Sequence, residues 1–158
     1  MDNMIIDMAM RYAVNYLMFT NVAKVGMDGK ARIGYEHDGS RLDKPLFDHD
    51  LVMDMKEGRR ILRLDIMAAA DAVSRAVETR YLSPGMHVAL ILLVKDIGKK
   101  RWQSSSIRKS LNKDDPLAAA MQFLKWNKAV LNGRTVVLPH LRARRELQAR
   151  IFCTFPTP

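Results

Sequence analysis

The stretch MHVALILLV, residues 86–94, is the longest strongly apolar run in this chain of 158 residues, and only His87 interrupts it. A helix that spans a membrane needs about 20 apolar residues, so the run is too short to predict an integral membrane protein. Turn-forming residues, Ser83-Pro84-Gly85, precede it, and part of the run is β-branched. This pattern predicts a central strand that is covered on both faces.

A β-hairpin is predicted on the N-terminal side of this run, over residues 22–36. The dipeptide Asp28-Gly29 lies between the segments VAKVGM and KARIGYE, and Asp-Gly is a strong signal for a two-residue hairpin turn. Apolar and polar residues alternate on both sides of the turn, which is typical of a sheet with one buried face. We therefore expect two antiparallel strands here.

Four other segments have the periodicity of amphipathic helices. These predicted helices span residues 3–17, about 59–81, 117–132 and 141–150. The third has the clearest boundaries, because Asp115 can cap it, Pro116 suits its first position and Gly133 can end it. The remaining segments are predicted as short strands over 135–138 and 151–155, a loop over 37–54 and a polar, basic loop over 95–110.

Together these elements predict a single α+β domain over residues 1–158. We expect a small mixed or antiparallel sheet that includes the N-terminal β-hairpin, with three to four helices packed on it. A chain of this length buries roughly two thirds of its extended surface, so a hydrophobic core alone can stabilise it. One cysteine, Cys153, cannot form an intramolecular disulfide. With no basic, cleavable leader at the N-terminus, the sequence predicts a non-secreted, cytoplasmic protein, or a component of a virion or intracellular assembly.

Charge is distributed unevenly along the chain, whose formal net charge is +9. Residues 1–94 form an acidic-to-neutral half with 12 Lys or Arg and 13 Asp or Glu, whereas residues 95–158 form a basic half with 14 and 4. A clustered positive potential attracts polyanions and releases their counterions. Nucleic acid, an anionic membrane surface and an acidic protein are the candidate partners, with a solvated basic surface as the alternative.

Nucleic acid, either RNA or DNA, is the partner that the basic half favours. A flexible basic loop can contact phosphates, an exposed Trp102 can stack on an unpaired base, and arginines of the C-terminal helix can bind phosphate in a bidentate manner. The alternative for Trp102 is burial in the core. A lipid surface is less favoured, because the apolar face of that helix is narrow and has no Trp. The predicted nucleic-acid-binding residues are Lys99, Lys100, Arg101, Trp102, Arg108, Lys109, Lys113, Lys125, Lys128, Arg134, Arg142, Arg144, Arg145 and Arg150.

An acidic loop at residues 36–54 raises the separate hypothesis of a metal-dependent nuclease, using Asp48, His49, Asp50 or Asp54. No metal-binding motif fits its spacing, and the chain has no phosphate-binding or dinucleotide-binding glycine pattern. We therefore assign no catalytic residue, no metal ligand and no cofactor. The main prediction is a small, non-enzymatic nucleic-acid-binding protein. Its alternative is a structural or interaction subunit of a larger assembly such as a viral or phage particle, with a protein partner or a second copy of the chain.

Overall fold

The computed structural model describes residues 2–79 and 81–154. Its elements in chain order are α1 (Asn3–Tyr16), β1 (Thr20–Val25), β2 (Ala31–Gly34), α2 (Met55–Ala76), α3 (Pro84–Ile97), α4 (Lys99–Ser104), α5 (Ser106–Leu111), α6 (Pro116–Gln122), a 3₁₀ turn (Phe123–Trp126), β3 (Lys128–Leu131), β4 (Arg134–Val137) and α7 (Pro139–Phe152). The predicted α+β class with an N-terminal hairpin is confirmed. The strands of the described part form two separate antiparallel hairpins, and seven α-helices accompany them.

Helix α3 lies at the centre of the core, so the central strand predicted over residues 86–94 is wrong. Ser83 caps the helix by accepting a hydrogen bond from the Met86 amide at 3.2 Å, and Pro84 occupies the first position. Helices α1, α2 and α7 all pack against α3. Every residue from Val88 to Val94 is therefore buried, and a helix covered on all sides shows no amphipathic period in its sequence.

The predicted hairpin at residues 22–36 is present as β1 and β2, but its turn is longer than two residues. Val25 is paired with Ala31, so residues 26–30 form the connection. The Gly26 amide donates to the Lys30 carbonyl at 2.8 Å, and Gly29 adopts a φ of 75°. A five-residue connection needs only one residue in the left-handed region here, and glycine supplies it.

The basic segment at residues 95–110 is helical, not a loop, because it contains the end of α3 together with α4 and α5. Trp102 is fully buried, and its Nε1 donates to the Ala72 carbonyl at 3.1 Å. The indole therefore joins α4 to α2 in the core, and its expected exposure for base stacking is wrong. Its burial follows from its large apolar surface once one carbonyl satisfies the N–H.

Other boundaries differ from the predictions where a cap or a hairpin overrides periodicity. Helix α2 begins at Met55 because Asp54 accepts a hydrogen bond from the Glu57 amide at 2.7 Å. The helix predicted over 117–132 ends at Gln122, and β3 occupies its C-terminal part. β3 pairs with β4, which confirms the short strand predicted over 135–138. Ile151 and Phe152 belong to α7 instead of a last strand, and residue 155, the end of the strand predicted over 151–155, lies outside the described residues.

No helix within residues 2–79 and 81–154 is long and apolar enough to cross a membrane.

A buried polar cluster joins the C-terminal end of α3 to α7. Arg145 Nη1 donates to Asp96 Oδ2 at 2.6 Å, and Gln148 Nε2 donates to the same oxygen at 3.0 Å. Arg144 Nη1 lies 3.4 Å from the other carboxylate oxygen of Asp96. Burial alone would raise the pKa of Asp96, but the attraction of Arg145, Arg144 and Lys95 outweighs it, and the pKa is lowered. Asp96 is therefore an anion that the two helices share.

Substituting Asp96 with Asn is expected to lower the free energy of unfolding at pH 7 by about 3–5 kcal/mol, because Arg145 is left buried with no anion. The lowered pKa of Asp96 stabilises the wild type above the unfolded-state pKa of about 3.9, and this contribution is lost as the pH falls through the folded-state value. The difference between D96N and wild type should thus shrink below about pH 4. Urea unfolding at pH 7, 5 and 3 measures it.

The matched control is Asp71→Asn, which breaks the exposed pair between Asp71 and Arg75 on α2. That substitution should change the free energy of unfolding by less than about 1 kcal/mol at every pH. A difference between D96N and wild type that stays constant down to pH 3 would contradict the role given to the Asp96 anion.

Gly85, in the first turn of α3, allows the backbone of the α7 end to approach closely. A Cβ at this position would lie 2.5 Å from the Ile151 carbonyl oxygen and 2.6 Å from that of Thr154. Gly85→Ala should therefore destabilise the protein by about 1–3 kcal/mol through steric overlap, even though alanine favours a helix by about 1 kcal/mol over glycine. Urea denaturation of G85A, beside Ser74→Ala on the exposed face of α2, tests this; an equally or more stable G85A refutes the close contact.

Candidate functional site

A cleft of about 530 Å³ separates the β1–β2 hairpin from β3, β4 and the start of α7. The end of α3, with Lys95 and Asp96, forms its floor, and Arg101 of α4 lies at its edge. Among the described residues, eight Lys or Arg side chains line the cleft against three carboxylates. The cleft therefore has a surplus of five positive charges, which raises the local concentration of anionic ligands.

Arg144 crosses the cleft floor and contacts the N-terminal part of the chain. Its Nη1 and Nη2 donate to the two carboxylate oxygens of Glu36 at 3.0 and 2.9 Å. The same guanidinium lies over the Tyr16 ring, 4.9 Å from its centroid. Burial would raise the pKa of Glu36, but the hydrogen bonds and charge of Arg144 outweigh it and lower the pKa. Glu36, two residues after the end of β2, is thus held as an anion.

A second ion pair lies on the hairpin wall of the cleft. Arg32 Nη1 and Nη2 donate to the two oxygens of Asp28 at 2.9 and 2.6 Å. The hydrogen bonds from Arg32 lower the pKa of Asp28 to about 2. Both Asp28 and Arg32 belong to the tight connection and its following strand, so the turn geometry itself brings them together.

Four exposed cations of the cleft have no ion-pair partner among the described residues. They are Lys24, Lys30, Arg101 and Lys128. Apolar side chains stand beside them, and Met18, Val25, Met27 and Val130 are each at least 60% exposed. The cleft therefore offers free hydrogen-bond donors next to apolar surface, a combination suited to a ligand with both polar groups and apolar faces.

The loop after β2 is fixed to α2 through His37, which is buried. The Arg41 amide donates to His37 Nε2 at 3.2 Å, so Nδ1 carries the proton and donates to Asp65 at 2.7 Å. Arg41 Nε also donates to Asp65, at 3.1 Å. This network positions Glu36, the residue immediately before His37, at the cleft.

The structure brings only part of the predicted binding set to this cleft. Arg101, Lys128, Arg144 and Arg145 line it, although Arg145 is buried. Trp102 lies in the core, and Arg108 is half-buried on α5. The remaining predicted residues are exposed and do not line the cleft: Lys99, Lys100, Lys109, Lys113, Lys125, Arg134, Arg142 and Arg150.

Sequence reasoning missed the cleft residues of the N-terminal half. Asp28 and Arg32 were interpreted only as hairpin residues, and Glu36 only as part of an acidic loop. A contact such as Glu36–Arg144 joins positions that are 108 residues apart. Single-sequence periodicity carries no signal for such pairing, whereas the Asp28-to-Arg32 spacing across a short turn was a usable local signal.

Donor atoms of Asp48, His49 and Asp50 lie within 4.8 Å of one another in the acidic loop. The His49 side chain is 92% exposed, and Asp48 and Asp50 are partly or largely exposed as well. Exposed acidic groups of this kind form readily in solvated loops. The arrangement gives no support to the metal-dependent nuclease considered from the sequence.

Comparisons of the sequence with known proteins agree on one family. The sequence pattern of the phage lysozyme family matches residues 19–148. An endolysin of Acyrthosiphon pisum secondary endosymbiont phage 1 is 30% identical over 101 residues, which cover 64% of this chain and 68% of the relative. An endolysin of Salmonella phage P22 is 29% identical over 119 residues, covering 75% and 80%.

Solved structures with the same fold include two proteins of low sequence identity. The muramidase domain of SpmX from Asticaccaulis excentricus is 24% identical, with a TM-score of 0.79 and coverage of 93% of this chain and 95% of that one. An endolysin from Escherichia coli O157:H7 phage FAHEc1 is 21% identical, with a TM-score of 0.80 and coverage of 94% of both chains. At these identities the similarity establishes the fold.

These matches correct the functional predictions made from the sequence. The predicted nucleic-acid-binding function and the nucleic-acid partner are wrong, because the matching family and the named relatives are lysozymes and endolysins. The alternatives of an assembly subunit and a metal-dependent nuclease are wrong for the same reason. With its sequence match over residues 19–148 and its lysozyme-like fold, the chain belongs to the phage lysozyme family.

Proposed function

We propose that the cleft binds the glycan strand of bacterial peptidoglycan. The observation that carries this proposal is the surplus of five positive charges in the cleft, together with its exposed apolar side chains. Peptidoglycan is a polymer of amino sugars whose peptide branches end in carboxylates. An anionic saccharide therefore matches the cleft in both charge and polarity. Membership of the phage lysozyme family and the endolysin relatives support the same substrate class.

Donors on both walls of the cleft would contact the strand. Lys24 and Lys30 belong to the β1–β2 hairpin, whereas Lys128 belongs to β3 and Arg101 to α4. Charge-assisted hydrogen bonds from these groups to carboxylates are stronger than neutral ones. The exposed side chains of Met27 and Val130 would pack on the apolar faces of the sugar rings.

Hydrolysis of the bound strand is the second candidate activity, and the names of the relatives, endolysin and muramidase domain, favour it. Cleavage of a glycosidic bond normally uses two carboxyl groups that flank it. Asp28 and Glu36 are the partly exposed carboxylates among the described cleft residues, with side chains 28% and 33% exposed. A hydrolytic reaction in this cleft would have to use these two groups.

We also propose that the chain is located in the cytoplasm, as the sequence predicts. A protein made there acts on the wall only after it gains access across the membrane. Fractionation of producing cells before lysis checks the location. We expect the chain in the cytoplasmic fraction, and its recovery in the envelope fraction would contradict the proposal.

Removing the free cleft cations is expected to weaken binding to peptidoglycan. The triple variant Lys24→Ala, Arg101→Ala, Lys128→Ala loses three exposed charges and no ion pair within the described residues. We expect its apparent affinity for purified peptidoglycan to fall at least about tenfold. A charge-assisted hydrogen bond contributes about 1.5–3 kcal/mol when it is shielded from water and less when it is exposed, and three such contacts are lost. Co-sedimentation with insoluble peptidoglycan at low salt measures the affinity.

The matched control is Lys109→Ala, Lys113→Ala, Arg150→Ala, which removes the same charge from exposed positions outside the cleft. Its binding should remain within about twofold of wild type, because screening limits the reach of exposed charges to about 10 Å at 0.1 M salt. Equal losses in both variants would assign binding to net charge and refute the cleft as the site.

A further inference from the structure

We infer that this cleft binds the glycan strand without hydrolysing it, because arginine side chains occupy both oxygens of each carboxylate that the strand could reach. The inference rests on the proposed peptidoglycan binding and concerns what happens to the bound strand. The cleft would then hold the strand and would not cleave it.

Glycoside hydrolysis sets a clear chemical requirement. One carboxyl group must hold a proton and donate it to the leaving-group oxygen, while a second, ionised carboxylate acts as nucleophile or activates a water molecule. The donor needs a pKa raised towards neutrality, which enzymes achieve with an apolar site or a nearby like charge. The cleft could therefore hydrolyse the strand only if one of its carboxyl groups had such surroundings.

Three carboxyl groups line the cleft within the described residues, and Asp96 is the least accessible. Its side chain is 2% exposed, and it accepts hydrogen bonds from Arg145, Gln148 and Arg144. A glycosidic oxygen has no route to a carboxylate whose oxygens all face buried donors. Asp96 is therefore structural, which leaves Glu36 and Asp28.

Glu36 is unsuited to the role of acid. The forked guanidinium of Arg144 donates to both of its oxygens, at 2.9 and 3.0 Å. Arg144 is itself 10% exposed and is held in place by Asp96 at 3.4 Å. Because arginine does not give up its proton, this pair keeps Glu36 ionised. The lowered pKa of Glu36 agrees with that geometry.

Asp28 has the same arrangement on the opposite wall. Arg32 donates to both of its oxygens, at 2.9 and 2.6 Å, and Asp28 also accepts from the Lys30 amide at 3.2 Å. With a pKa of about 2, only about one molecule in 10⁵ carries the proton at pH 7. Neither accessible carboxyl group is therefore a proton donor, and each nucleophilic oxygen already has a cationic partner.

Binding of a saccharide would not release these pairs. A strand that covers the cleft excludes water, which raises the pKa of a carboxyl group but also strengthens its attraction to an arginine already in contact with it. The pairs join neighbouring parts of the folded chain, Asp28 with Arg32 across one turn and Glu36 with Arg144 across the floor. The bound strand thus meets carboxylates that remain ionised.

The experiment incubates the full chain with purified peptidoglycan sacculi, and measures both the protein that sediments and the reducing ends released into solution. An active muramidase on the same sacculi shows that the material can be cleaved, and a mock purification shows the background. We expect the wild-type chain to sediment with the sacculi and to release less than about 1% of the reducing ends that the muramidase releases.

Sedimentation tests the proposed peptidoglycan binding, whereas release of reducing ends tests the inference that the bound strand is not hydrolysed. Release of reducing ends above the mock background overturns the inference while peptidoglycan binding stands, and Glu36→Gln and Asp28→Asn then identify the carboxyl group used. Failure of the folded wild type to sediment overturns the proposed function, and the inference with it. Sedimentation without release supports both.

Discussion

Asp96 is the one acceptor on which the positions of both cleft walls depend. Buried at the end of α3, it faces Arg144 and Arg145 of α7. Arg144 continues to Glu36 beyond β2, and Arg145 Nε donates to the Trp126 carbonyl just before β3, at 3.1 Å. A single anion therefore holds two adjacent arginines, and each arginine fixes the backbone beside one hairpin. Buried ion pairs of this kind define geometry more than they add stability.

The basic surplus of the chain has two different uses in the structure. Arg32, Arg144 and Arg145 are engaged with carboxylates or carbonyl oxygens and define the shape of the cleft. The free lysines, such as Lys24 and Lys128, give it an attractive potential. Counting charge along the sequence treats both groups alike, which is why the basic half was interpreted as a nucleic-acid-binding surface. Only the folded chain separates cations that position residues from cations that can meet a ligand.

Local chemistry made part of the fold predictable. The Asp28-Gly29 dipeptide located the first hairpin, and the Asp115-Pro116 pair located the start of α6. The α3 run could not be assigned from periodicity because neighbours cover it on every side, although Ser83-Pro84 carried a usable helix-start signal. Trp102 and the floor of the cleft were beyond reach, since they depend on contacts between distant segments. The site was predictable as basic, but its acidic partners in the N-terminal half were not.

The packing of α1 on α2 and α3 has a consequence for the order of events during synthesis. Helix α1 leaves the ribosome before α2 and α3, yet its buried residues, including Ala9 and Ala13, are covered by segments that end at Ile97. At about 5–20 residues per second, several seconds separate the two. The apolar face of α1 is therefore exposed on the nascent chain during that interval, which makes this helix a natural client for chaperones.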